Sequence, residues 1–130
     1  MQSTPEKNLF EYAVVRYLPD IEREEFINVG LIMMCKRRRW LKCRVAPNHQ
    51  LIAQFNPPHS PEVIDRQLQS FLRVADGQHD AGPIATLEAE ERFRWLTAVR
   101  SASFQTSRPH PGKTTDLDAT FDTIFHRLVL

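Results

Sequence analysis

FINVGLIMMC, residues 26–35, decides the fold. Both of its alternating sets are apolar, which marks a central strand covered on both faces, or on one face with an edge contact. Two residues interrupt it. Asn28 places an amide among apolar neighbours, and Gly30 removes a side chain from a strand interior. A buried amide is tolerated only when its donors and acceptor find partners, because an orphaned polar group costs about 1–3 kcal/mol. A glycine inside a strand marks a bulge, or a close approach by another backbone or a ligand.

The flanking segments fit a meander. FEYAVVRY, 10–17, is rich in β-branched and aromatic residues and reads as a first strand. Residues 18–25 form a polar connection, with Pro19 and Asp20 as turn chemistry. KRRR turns the chain after Cys35, and WLKCRV, 40–45, alternates apolar and basic residues as a half-exposed third strand does. Pairing the first two strands brings Arg16 within a residue or two of Asn28. A strand arginine needs a carboxylate or carbonyls, and Asp20, Glu24 and Glu25 are nearby candidates. Arg16, Tyr17, Asp20, Arg23, Glu25 and Asn28 therefore form a candidate polar constellation. It has two readings: a network that fixes the hairpin, with Gly30 permitting close packing, or a small polar binding pocket beside the sheet.

Beyond the meander the pattern changes. Pro47, Asn48, Asn56, Pro57 and Pro58 make the middle loop-rich, with room for a short element at 50–55. Ser60 and Pro61 read as an N-cap and first helical position; Ile64, Leu68, Phe71, Leu72 and Ala75 follow at helical spacing, and Gly77 closes the helix. Thr86 starts a second helix with stripe Ala89, Phe93, Leu96 and Val99. Residues 103–107 are a candidate fourth strand, and RPHPGKTTD a loop. Thr115 or Asp116 caps a last helix with stripe Leu117, Phe121, Ile124, Phe125 and Leu128. Strands followed mostly by helices predict one α+β domain over residues 1–130: a small antiparallel sheet of three or four strands with three packed helices.

The 130 residues are 42% hydrophobic and 25% charged, ordinary values for a globular chain with its own core. A net charge of +1 gives no global pull toward nucleic acid or membrane. No apolar run approaches the length of a bilayer span, MQSTPEKNLF has no basic-then-apolar leader pattern, and two cysteines fit a reducing compartment. The expectation is a cytoplasmic protein without membrane association.

KRRRWLKCR, 36–44, places Lys36, Arg37, Arg38, Arg39 and Lys42 around Trp40. Cations meet phosphates and an aromatic stacks on a base, so this hairpin is a candidate nucleic-acid contact; a solvated charged turn is the plainer reading. With acids at 20–25 before the second strand and cations after it, the sheet is acidic at one end and basic at the other, separated by roughly 33 Å. That layout also fits head-to-tail contacts between copies of the chain, or a charged partner.

PGKTT, 111–115, fails as a phosphate loop, because Ser107 stands where its first glycine belongs. Five scattered histidines, and Cys35 and Cys43 eight apart, give no metal spacing and no disulfide geometry. The cysteines read as buried reduced thiols. No nucleophile motif is present and no cofactor is implied. An Arg/carboxylate enzyme site at Arg16, Asp20 and Glu25 stays open as a third possibility, which would need one carboxylate buried enough to raise its pKa.

YAVVRYLPDIEREEFINVG, 12–30, resembles the opening signature of a bacterial family, the domain of unknown function 3037 family. Tyr12, Val15, Arg16, Tyr17, Pro19, Asp20, Arg23, Glu25, Phe26, Asn28, Val29 and Gly30 match it residue by residue, and SFQTSRP matches late in the chain. The resemblance implies no catalytic residue. It does imply a protein partner, a HipA-like kinase, beside whose genes those of the family often lie. The leading expectation is a non-enzymatic interaction or regulatory module, ahead of a nucleic-acid-binding module and a small enzyme.

Overall fold

The computed structural model describes residues 6–100 and 102–130; residues 1–5, half of the segment read as leaderless, lie outside them. Its strands are β1 (Asn8–Tyr17), β2 (Ile27–Cys35), β3 (Trp40–Val45), β4 (Phe104–Thr106) and β5 (His110–Thr114). Its α-helices are α1 (His49–Ala53), α2 (Pro61–Ala75), α3 (Ala89–Leu96) and α4 (Leu117–Leu128), so the α+β class holds. The sheet is antiparallel, with path β3-β2-β1-β4 and β5 also on β1. No helix among the described residues is long and apolar enough to cross a membrane.

The sheet is the middle of three layers. Ala13, Val15 and Tyr17 of β1, with Ile32 and Met34 of β2, pack against Ile64 and Leu68 of α2 and Phe93 and Leu96 of α3. Phe10, Val14, Leu31 and Met33 point the other way, onto Phe121, Ile124 and Phe125 of α4. This double cover explains why β2 is apolar on both alternating sets. Strand period two delivers each set to a different helical layer.

Gly30 and Asn28 mark a β-bulge. Val15 pairs with Gly30 and Arg16 with Asn28, leaving Val29 as the extra residue of β2. The bulge moves alternation by one. Val29 and Ile27 join the α2/α3 layer, and Asn28 turns toward α4, where its Nδ2 donates to the Leu128 carbonyl at 3.0 Å. At Gly30 a Cβ would lie 2.9 Å from both the Arg44 carbonyl oxygen and Val45 Cγ1. The glycine permits close approach of β3, as its position in the strand implies.

The second edge of β1 carries one broken strand. β4 pairs over Val15–Tyr17 and β5 over Asn8–Tyr12. Ser107 bridges the break: its amide donates to the Val14 carbonyl at 2.9 Å, and its Oγ accepts from the Val14 N–H at 2.9 Å. The serine thus stands in for a missing ladder carbonyl.

Three expectations need correction. Residues 110–114 are a fifth strand rather than loop; an edge strand tolerates Pro111, and Gly112 makes room for the Phe10 ring. The helix expected from Thr86 starts later, because Pro83–Thr86 is a 3₁₀ turn and α3 begins at Ala89. That helix ends at Leu96, so Val99 is fully exposed rather than part of a buried stripe. Elsewhere the local signals hold: Ser60 caps α2 through the Val63 N–H and Asp116 caps α4 through the Ala119 N–H; Asn48, read as loop, caps α1.

Candidate functional site

The candidate constellation of Arg16, Tyr17, Asp20, Arg23, Glu25 and Asn28 is divided among four places. Tyr17 is buried in the α2/α3 layer, its ring 5.0 Å from that of Phe104 and its hydroxyl 2.8 Å from His59 Nδ1. Asn28 ties β2 to the end of α4. Asp20 accepts from the Glu22 N–H to cap a 3₁₀ turn, Ile21–Arg23, and Arg23 pairs with Glu25 in the exposed loop.

Arg16 receives no carboxylate among the described residues. Its guanidinium lies over the Phe26 ring instead, 3.9 Å from the centroid. An aromatic face is attractive to a cation and takes the place of the expected acid. Burial still lowers the Arg16 pKa from its ordinary value, and its Nε is buried without a hydrogen-bond partner. The Oδ1 of Asn28, its cross-strand neighbour, is likewise unpartnered. The expected Arg16–Asn28–acid network is therefore absent: Asp20 and Glu25 satisfy their own loop, and Glu24 lines the Arg16 cleft without pairing to it.

The arginine sits in a cleft of about 500 Å³ with Leu18, Ile21, Glu24, Phe26, Val99 and Arg100. A second cleft of about 470 Å³, between α2, α3 and β4, shares Arg100 and Gln105 with it. A third, along Pro19–Arg23, shares Ile21 with the first and Ser103 with the second. Ile21, Phe26, Phe55, Trp95 and Val99 are exposed large apolar residues, and all five line these connected clefts. Phe26 is 46% exposed and Trp95 44%. His59 and Trp95 carried no motif, and Val99 was read as part of a buried stripe; their importance arises from the chain's return at 103–106 beside β1.

The basic hairpin is the opposite end of the sheet. Lys36 pairs with Glu90 at 3.5 Å, Arg37 with Glu6 at 2.6 Å and Lys42 with Asp118 at 3.0 Å, while Arg38 donates to Asn8 Oδ1. Arg39 occupies the left-handed turn position. Trp40 packs partly buried against the α4 layer. Each cation but Arg39 is thus engaged within the chain, and the indole is turned to the core.

Among the described residues, no three His, Cys, Asp or Glu side chains gather as metal ligands. Cys35 and Cys43 are free thiols, facing Trp40 and Ile32 across the β2–β3 ladder rather than each other. Burial and the negative charge of Asp76 push the Cys43 thiol pKa up, so it is a poor nucleophile.

A family model described as protein of unknown function (DUF3037) matches residues 12–129. The chain belongs to this family. The match runs from Tyr12 in β1 to Val129 beyond α4, so the family's extent takes in both helical layers, the β2 bulge and the clefts. No curated protein and no solved structure matches the chain.

Proposed function

We propose that the chain is a non-enzymatic interaction module, acting in the cytoplasm, that docks a protein partner on the end of the sheet built around Arg16. The carrying observation is the guanidinium stacked on Phe26 without a carboxylate, in a cleft rimmed by exposed Ile21 and Val99. Interface anchors are typically aromatic and arginine residues set among apolar neighbours. The partner chemistry that fits is an acidic side chain flanked by an apolar one. The carboxylate takes the open face of Arg16, and the apolar group covers Phe26 and Val99. A HipA-like kinase is the partner that the family resemblance puts forward.

The test is pairwise binding of the purified chain to a HipA-like kinase from the same organism, followed by calorimetry. Expected is a one-to-one complex that Val99→Asp weakens at least tenfold with an unchanged thermal melt, because Val99 is fully exposed, and that Phe26→Asp weakens as well while also removing the ring under Arg16. Absence of binding at about 10 μM, a weak affinity for a regulatory pair, removes the kinase from the reading. Binding indifferent to both substitutions moves the interface away from Arg16.

A further inference from the structure

We infer that the cleft between α2, α3 and β4 is a binding site for a small aromatic carboxylate. Its volume of about 470 Å³ is that of a ligand pocket. Phe71, Trp95 and Phe104 supply aromatic walls, with Leu68, Val74 and Leu96 between them. Rings of this kind favour a planar apolar body, stacked offset or edge-on.

The polar groups of the cleft say which end group that body carries. The Tyr17 hydroxyl is buried beside His59 Nδ1 at 2.8 Å and has no other partner among the described residues. Burial raises the phenol's pKa, so it stays protonated. Nδ1 is the acceptor within reach of this hydroxyl among the described residues, and donation to it keeps the buried O–H satisfied. In the tautomer that accepts this bond the ring proton sits on Nε2, and His59 then offers a donor at that nitrogen. Arg100 lies over the Trp95 ring at 4.2 Å and spends one nitrogen on the Trp95 carbonyl, leaving further N–H groups for a ligand. No Asp or Glu lines this cleft. Donors without an acid call for an anionic acceptor, and a carboxylate on an aromatic ring satisfies both the donors and the walls.

This goes beyond the docking proposal. Apart from Arg100 and Gln105 it rests on other residues, so either reading stands if the other fails. The test is amide chemical-shift titration of the full chain with 2-naphthoate, 2-naphthamide and 2-naphthylmethylammonium. Expected is saturable binding of naphthoate, at least tenfold tighter than amide or cation, with the largest shifts at Trp95 and in residues 67–74. Ser70→Tyr, on the exposed rim, should abolish binding without changing the melt, and His59→Gln should weaken it at least threefold. The inference is overturned by equal affinity for all three probes, by shifts elsewhere, by indifference to Ser70→Tyr, or by no saturation near 10 mM, about the weakest binding such a site allows. Should Ser70→Tyr disturb the fold, the naphthoate-to-naphthamide ratio and His59→Gln decide alone.

Discussion

Arg16 and Asn28 face each other directly across the β1–β2 ladder, yet neither holds the other. The guanidinium rests on Phe26, and the amide reaches the last turn of α4. The bulge at Val29 makes this arrangement, because it turns Asn28 out of the α2/α3 core and toward the Leu128 carbonyl.

Asn28→Ala therefore removes the bond between β2 and the end of α4. The expected cost is about 1 kcal/mol, the net worth of a part-buried hydrogen bond, or a few degrees in the melt of a domain this size. Urea denaturation measures the first. Faster amide exchange confined to the last turn of α4 identifies the mechanism. An unchanged melt with lost partner binding would reassign Asn28 to the docking surface.

Ser107→Ala should cost more, about 1–3 kcal/mol, because it leaves the buried Val14 N–H without an acceptor. The loss should appear as a lower denaturation midpoint with the same slope. Ser107→Thr keeps the oxygen and should retain more stability than alanine. Equal stability of the alanine variant and wild type would mean that water or a backbone shift replaces the Oγ.

Stability should decline in alkali. The Tyr17 phenol and the Cys43 thiol are both held above their ordinary pKa by burial, Cys43 also by Asp76. The unfolded chain ionises first, at about 8.5 for a thiol and about 10 for a phenol. Above those values the folded state binds more protons than the unfolded state, so unfolding becomes easier as pH rises. Both contributions are fully present below pH 8.5, the lower unfolded value. Melts from pH 7 to 11 should be flat at first and then fall. Cys43→Ala should flatten the earlier part of the decline and Tyr17→Phe the later part. A decline untouched by both substitutions would assign it to other groups.

The basic hairpin should be nearly silent toward nucleic acid. Its cations other than Arg39 are engaged, Lys36, Arg37, Arg38 and Lys42 with Glu90, Glu6, Asn8 and Asp118, and releasing them opposes phosphate binding. Anisotropy titrations with single-stranded and duplex oligonucleotides should stay flat at about 50 mM salt, where phosphate contacts are strong. A saturable signal that weakens steeply with salt would make Lys36–Lys42 a binding surface.

The meander and the helical caps were legible because each rests on local chemistry. Double-sided apolarity marked β2, Ser60-Pro61 opened α2, and the Leu117–Leu128 stripe marked α4. Gly30 announced a bulge or close approach and is both. β5 was hidden because its strand character comes from pairing with β1, while its own residues, HPGKT, read as turn formers. The site was harder still. Acids near Arg16 in sequence pointed to an ion pair, but Asp20 is spent on a cap and Glu25 on Arg23. Phe26 looked like the first core residue of β2 and is instead an exposed platform. Trp95, Arg100 and His59 converge only through tertiary folding, for which no spacing rule exists.

The broken strand on β1 has a consequence for the order of assembly. Only a short connection separates β1 from β2, and such local contacts favour early pairing. The other edge of β1 waits for residues 104–114, which leave the ribosome long after β1 and β2. Until then the nascent chain presents an open row of β1 amides and carbonyls, the kind of edge that recruits foreign strands. Release of a chain stopped before Phe104 should therefore yield aggregates rather than a smaller soluble domain. The strand synthesised late is what closes the sheet.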